Sequence, residues 1–287
     1  MHNLKQCNEV ISKFESRIKK PSKTILSGDL SVGLDLGTAY IVLAVLNSSG
    51  EPLAGAYRAA SVVRDGMVVD YLGAVDIVKE LKAELELKLA CELVDVAAAI
   101  PPGTESTDGG AVRNVAEAAG FRVLKVVDEP TAANELIQLQ DGAVVDIGGG
   151  TTGVSIFKGG KVVHVVDEPS GGRHFSLVLA GAKKITEAEA EEYKLISSHH
   201  KEILPIVSPV IDKVSSIVVN AIRDFDISEL VVVGGTACLT GIEQKMSEQI
   251  GLPVSKPINP MFVTPLGIAL ACLKAKQELV EDEGNGH

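Results

Sequence analysis

Two short stretches of this sequence combine an aspartate with glycine and threonine in a pattern suited to phosphate chemistry. Asp35 is followed by Leu-Gly-Thr, which supplies Gly37 and Thr38. Asp146 is followed by Ile-Gly-Gly-Gly-Thr-Thr, which supplies Gly148, Gly149, Gly150, Thr151 and Thr152. A strand interior gains nothing from glycine, which packs no side chain and loses more backbone entropy than other residues on folding. A glycine turn, however, leaves its N–H groups uncovered, so a phosphate oxygen can approach where no Cβ stands in the way. Two such turns facing each other would grip a polyphosphate from both sides, each N–H to an anion contributing about 1.5 to 3 kcal/mol. Hairpin geometry alone explains one or two glycines but not GGGTT, and the threonine hydroxyls add donors beside them.

The elements that must hold these turns follow from the surrounding pattern. Each turn lies between a first and a second predicted strand, VGLDLG with YIVLAVLN and AVVDIGGG with TGVSIFKGG. The first half continues with the strand EPLAGAYRAASVV, a helix over about Ala74 to Cys91, the buried strand VDVAAAI, a helix over about Thr107 to Ala119 and the strand FRVLKVV. The second continues with the strand KVVHVVDE, a helical stretch from Gly171-Gly172 to about Lys184, the charged helix ITEAEAEEYKLI and a long helix over about Ile203 to Phe225. The strand ELVVVGG, the helix LTGIEQKMSEQIG, a short strand at LPVSKP and a closing helix from Pro265 through Leu279 follow. Strands that meander and then alternate with helices predict an α/β fold with mixed sheets. The shared opening of the two halves is an internal repeat.

The pattern sets expected boundaries of an arm at 1–30, a first domain at 31–142 completed by the helix at 264–280, a second domain at 143–263 and a disordered tail at 281–287. In the arm, Leu4, Cys7, Val10, Ile11, Phe14 and Ile18 recur at helical spacing, and KKPSKTILSGDLS reads as a linker.

Composition excludes several classes. The chain has 287 residues, 46% of them apolar but only 3% aromatic, a balance that suits buried parallel strands covered by helices. A net charge of -11 repels phosphate backbones and the absence of Trp leaves little for base stacking, so no nucleic-acid partner is expected. Cys7, Cys91, Cys238 and Cys272 form no CxxC pair and read as reduced thiols. No apolar run reaches membrane-spanning length and the N-terminus lacks a secretory core, which predicts a cytoplasmic protein without a membrane partner.

Five ordered stretches carry a family resemblance: DLGT at 35–38, VVDEPTAANELI at 126–137, DIGGGTT at 146–152, VVVGGTACL at 231–239 and PLGIALACL in the closing helix. They resemble the phosphate loops, connecting segments and adenosine loop of the actin, heat-shock chaperone and sugar kinase superfamily of ATPases. Within it, length and details look most like the ethanolamine-utilization EutJ proteins, compact chaperone-like members associated with bacterial microcompartment operons. The resemblance implies two RNase H-like domains with ATP or ADP and Mg²⁺ in a cleft between them. It covers residues 31 to about 280.

By that resemblance, Asp35 and Asp146 hold Mg²⁺ largely through its waters, since this ion dehydrates reluctantly. An Asp at a single turn more often just caps backbone N–H groups. Gly37, Thr38 and Gly148 through Thr152 supply the phosphate donors. Glu129 in DEPTAA positions the attacking water, with Asp146 beside the reaction, because phosphoryl transfer depends mainly on positioning and charge neutralisation. The alternative for Glu129 is a helix-start carboxylate favoured by the helix dipole. Gly234, Gly235 and Thr236 suit adenine and ribose contacts, and Glu191 and Lys194 correspond loosely to a charged helix that touches the nucleoside. Gly171 and Gly172 resemble the chaperone GGEDF loop, but Arg173-His174 replaces its acidic pair. His199-His200 reads as loop surface.

The resemblance also implies what is missing. Only about RDGMVVDYLGA stands where actin and chaperones insert a subdomain, so a catalytic lysine from that region has no counterpart and hydrolysis is expected to be slow or absent. The resulting reading is an ATP-binding, slowly hydrolysing, chaperone-like switch. A small-molecule kinase of the acetate or sugar type and an actin-like polymer are the alternatives. The amphipathic arm resembles peptides that target enzymes to microcompartment shells, which makes shell or enzyme proteins its expected partners; otherwise it folds back on its own domain.

Overall fold

The computed structural model describes residues 4–22, 30–64, 67–101 and 109–284. Most of the predicted linker, residues 65–66, the helix start expected at Thr107 and the last residues of the tail lie outside the described residues. In chain order the elements are α1 (Lys5–Lys19), β1 (Ser31–Leu36), β2 (Tyr40–Leu46), β3 (Pro52–Ala59), β4 (Val63–Arg64), β5 (Met67–Val68), α2 (Tyr71–Leu89), β6 (Asp95–Ile100), α3 (Gly109–Ala118), β7 (Arg122–Asp128) and α4 (Glu129–Ile137). They continue with β8 (Gly142–Ile147), β9 (Thr152–Lys158), β10 (Lys161–Glu168), α5 (Gly172–Lys183), α6 (Glu187–Leu195), α7 (His200–Ile222), β11 (Leu230–Val233), α8 (Ile242–Ile250), β12 (Val254–Ser255) and α9 (Val263–Gly284). Two compact units result, one of residues 5–137 with 263–287 and one of residues 138–262 with 1–4. The expected mixed α/β architecture, with a five-stranded sheet in each half, is what the chain adopts.

In the first unit the sheet order is β3-β2-β1-β6-β7, antiparallel from β3 to β1 and parallel from β1 to β7. Alternation along β1 sends Val32, Leu34 and Leu36 into one core with Val75, Val78, Leu81 and Leu85 of α2 and Val112 and Val115 of α3. On the other face Ala97 and Ala99 of β6 meet Ala132 of α4 and Ile268 and Cys272 of α9. Small residues let α9 approach closely: a Cβ on Gly33 would stand 2.5 Å from the Ala269 nitrogen, and one on Gly267 would stand 2.5 Å from the Ala132 carbonyl carbon. Among the described residues the short antiparallel pair β4–β5 stands between β3 and α2, and α2 begins at Tyr71 rather than Ala74 because the Asp70 side chain caps it, accepting from Gly73 N–H at 2.9 Å. The apolar face of α1 is buried in this unit at Cys7, Ile11 and Phe14, and the Phe14 ring lies where a side chain on Gly55 of β3 would stand.

The second unit repeats the plan with order β10-β9-β8-β11-β12, antiparallel from β10 to β8 and parallel from β8 to β12. Val145 and Ile147 of β8 and Val154 and Ile156 of β9 pack on Ile203, Val207, Ile211, Val214 and Val218, which recur at helical spacing along α7. In both sheets the parallel strands end on one edge, where open α/β sheets place their ligand loops. Asp35 lies one residue before the end of β1, near the edge that carries Asp128 at the end of β7 and Glu129 just after it. Asp146 ends β8 on the edge that carries Gly234 after β11.

Candidate functional site

The glycine-rich turn of the second unit is held by its carbonyls. Gly148 O accepts from Gly172 N–H at 2.9 Å and from the Thr236 hydroxyl at 2.8 Å, and Gly149 O accepts from Arg173 N–H at 2.8 Å. No peptide bond among the described residues is cis, so each pinned carbonyl aims the next N–H the opposite way. The Gly149 and Gly150 N–H groups therefore point away from α5, and among the described residues no partner takes them. Gly148 N–H closes the turn on Thr151 O at 3.0 Å, and the buried Thr152 hydroxyl donates to Ser170 O.

Backbone packs directly on backbone here. A Cβ on Gly171 would stand 2.6 Å from the Gly150 carbonyl carbon and 2.8 Å from both Gly148 O and Thr151 N. The pair Gly171-Gly172 thus serves to hold the turn, a role independent of the Arg173-His174 sequence that departs from the chaperone loop. Arg173 itself points outward to Glu187 at 2.8 Å. Asp146 is 8% exposed at the end of β8 and pairs in register with Gly153 on one side and Val233 on the other.

Glu191 and Lys194 join this assembly from α6. The Lys194 ammonium donates to Gly172 O at 3.0 Å, Ser176 Oγ at 2.9 Å and Glu191 at 2.7 Å. Its three donors are satisfied, so it braces the α5 N-terminus. Burial pulls the lysine below its ordinary value and Glu191 pulls it back up. His200, expected on a loop surface, is a correction: it is the first residue of α7 and is buried. Thr240 N–H donates to Nδ1 at 3.0 Å, which leaves Nε2 as the donor to Lys194 O at 3.0 Å and makes the ring neutral. Burial correspondingly pushes its pKa down. Periodicity could have assigned His200 to α7, but the buried partners come from elements distant in sequence.

Asp146, Gly148 through Thr152, Glu191, Lys194, Gly234, Gly235 and Thr236 are all in the second unit, where Asp146, the turn, Gly234, Thr236 and Lys194 are linked by contacts. Asp35, Gly37, Thr38 and Glu129 are in the first, at the carboxyl ends of its parallel strands. Glu129 opens α4 just after Asp128, whose carboxylate caps the helix by accepting from Thr131 N–H at 2.9 Å. The sequence reading missed Asp167 on β10, whose side chain bonds the Thr151 hydroxyl. Its signal was a carboxylate one strand away from the glycine turn.

Among the described residues no group of three or more His, Cys, Asp or Glu side chains gathers to hold a metal ion. Asp146, nearly buried beside the glycine turn, is a single carboxylate of the kind that can hold Mg²⁺ through the ion's own waters. No helix among the described residues is long and apolar enough to cross a membrane.

Two five-stranded mixed sheets with glycine turns at matching positions define the actin-like ATPase fold. The description of cell division protein FtsA matches residues 143–267, and that of the MreB/Mbl protein matches residues 54–179. MreB5 of Spiroplasma citri, solved bound to AMPPNP, has the same fold with a TM-score of 0.73 at 18% identity, covering 90% of this chain and 100% of that one. The ethanolamine utilization protein EutJ of Salmonella typhimurium is 43% identical over 241 residues, covering 84% of this chain and 85% of its own. The crystal structure of EutJ from Carboxydothermus hydrogenoformans matches with a TM-score of 0.87 and 47% identity, over 92% of this chain and 97% of that one. The chain belongs to the EutJ family of ethanolamine utilization proteins.

Proposed function

We propose that this protein binds ATP and ADP, hydrolyses ATP slowly and acts as a chaperone-like switch in ethanolamine utilization, in the cytoplasm and in association with a microcompartment. The observation that carries the reading is the pinned turn after Asp146. Its outward Gly149 and Gly150 N–H groups are rigid donors of the kind that bind phosphate oxygens. Rigid donors bind without first losing the entropy of ordering a loop.

In this reading Gly148 through Thr152 hold phosphate oxygens, with Gly37 and Thr38 as the second donor set. Gly234, Gly235 and Thr236 face the nucleoside, and Glu191 and Lys194 keep the α5 N-terminus in place beside it. Asp35 and Asp146 hold waters of a bound Mg²⁺, which would supply charge neutralisation on the phosphates. Glu129 orients the attacking water. Shell or enzyme proteins are the proposed partners of α1, which offers them Lys5, Glu9 and Lys19 on its exposed face.

Calorimetric titration with Mg-ATP and Mg-ADP, followed by phosphate release, tests the reading. Asp146→Ala is expected to bind poorly, and Glu129→Ala to bind but turn over less. Normal binding by Asp146→Ala would sink the site assignment. Turnover with ethanolamine, acetate or sugars as phosphoryl acceptors would instead mark a kinase.

A further inference from the structure

The turn is tethered by Gly172, Arg173, Ser170, Thr236 and Asp167, and the Asp167 side chain is an ionisable group among these tethers. Asp167 lies on β10 directly opposite Gly153 of β9, which lies directly opposite Asp146 of β8. Directly paired residues project to the same face of a sheet. Asp146 and Asp167 therefore share a row and a face, two strand spacings or about 9.6 Å apart at Cα. Gly153 between them carries no side chain, so nothing in that row separates the two carboxylates. Val145, Val154 and Val166, one residue away on each strand, face the opposite way into the core with α7.

Thr151 immediately precedes β9, and its hydroxyl donates to the Asp167 carboxylate. Burial pushes the Asp167 carboxyl above the ordinary aspartate value, the Thr151 hydroxyl pulls it down and neighbouring Glu168 pushes it up. A half-buried carboxylate bordering an anion site is unfavourable unless its hydrogen bond is needed there. Thr151 is also fixed through its carbonyl, which accepts from Gly148 N–H at 3.0 Å. Without the carboxylate the hydroxyl would rotate freely and the last residue of the turn would lose its side-chain anchor.

We infer that Asp167 is a positioning residue for the phosphate turn, acting through the Thr151 hydroxyl to fix that turn for the polyphosphate of a nucleotide. The inference rests on the nucleotide reading above. It assigns to the third strand of the sheet a role in binding that the glycine motif does not contain.

A double-mutant cycle tests it, with calorimetric Mg-ATP affinity as the readout and thermal unfolding of each variant as the fold control. Asp167→Ala is expected to weaken binding about tenfold, the size of one hydrogen bond to a charged group. Asp167→Asn, which keeps an acceptor oxygen, is expected to recover most of the loss. In a Thr151→Val background the effect of Asp167→Ala is expected to shrink below about twofold, because the hydroxyl it acts through is gone. Equal losses from Asp167→Ala in both backgrounds, or Asp167→Asn as damaging as Asp167→Ala, would overturn the inference and leave the nucleotide reading intact. Wild-type protein that binds neither Mg-ATP nor Mg-ADP would overturn both.

Discussion

Gly234 lies against the carboxylate of Asp146: a Cβ at Gly234 would overlap Asp146 Oδ1 and stand 2.6 Å from Ile147 O. Its φ of +90° is also one that L side chains rarely adopt. Gly234→Ala therefore meets strain and collision together. It is expected to lower stability by about 2 kcal/mol and to displace Asp146, weakening Mg-ATP binding more than tenfold. Adjacent Gly235 has open space around it, so Gly235→Ala is expected to stay within about 0.5 kcal/mol of wild type. Denaturant unfolding and calorimetry on the two variants check this, and equal behaviour would contradict it.

That contrast shows what the sequence could and could not reveal. GG after a strand marked a turn, but only the register of β11 beside β8 makes Gly234 and not Gly235 the residue that must lack a side chain. The strands around DLGT and DIGGGTT were legible because alternation and glycine act locally. Long helices were legible too, though α2 started earlier at its Asp70 cap and α9 ran past Leu279 to Gly284. Cross-strand and cross-helix contacts were not legible. Asp167 opposite Gly153, Lys194 on Gly172 O and His200 on Thr240 each join positions far apart in the chain. Local pattern supplies the residue types, such as a carboxylate one strand from the glycine turn, but not their pairing.

Asp95 gives a pH prediction. Its carboxylate, 7% exposed, bonds Arg122 at 2.6 Å and Lys276 of α9 at 2.7 Å. Burial pushes its pKa up, but the hydrogen bonds from Arg122 and Lys276 outweigh this and hold it below the ordinary aspartate value of 3.8. A folded pKa below the unfolded one means stability that is present above pH 3.8 and lost as pH falls through the folded value. Asp95→Asn is expected to destabilise by about 3 kcal/mol at neutral pH, since it removes the charged acceptor that the Lys276 ammonium and Arg122 share. The gap between variant and wild type should close below about pH 4. A gap that stays constant down to pH 3 would refute the ion-pair account.

The crossing of α9 over α4 depends on Gly267, whose missing side chain lets the Ala132 carbonyl approach. Gly267→Val inserts a branched side chain where backbone already stands. The helices must separate, opening the core that Ala132, Ile268 and Cys272 share with β6. A loss of about 3 kcal/mol or more is expected. Gly181 of α5, with open space around it, provides the control: Gly181→Ala is expected to be neutral or stabilising by up to about 1 kcal/mol, because alanine favours the helix. Thermal unfolding of both variants reads out the difference.

Whether α1 stays docked can be followed through Cys7. Burial on the inner face of the helix pushes its thiol pKa up to about 12, and it is only 2% exposed. A protonated, covered thiol reacts slowly, because the thiolate is the nucleophile. Phe14 anchors the same face and is fully buried against β3. Phe14→Ala is expected to lower stability by about 3 to 4 kcal/mol and to make Cys7 react with iodoacetamide many times faster at neutral pH. Half-buried Cys91 and Cys238, on other elements, should keep their wild-type rates. Peptide mass spectrometry resolves the cysteines. Fast labelling of Cys7 in the unmodified protein would mean that α1 leaves β3 readily, and its apolar face would then be open to shell or enzyme proteins; slow labelling that accelerates only in Phe14→Ala would mean that the helix is an integral layer of its own unit.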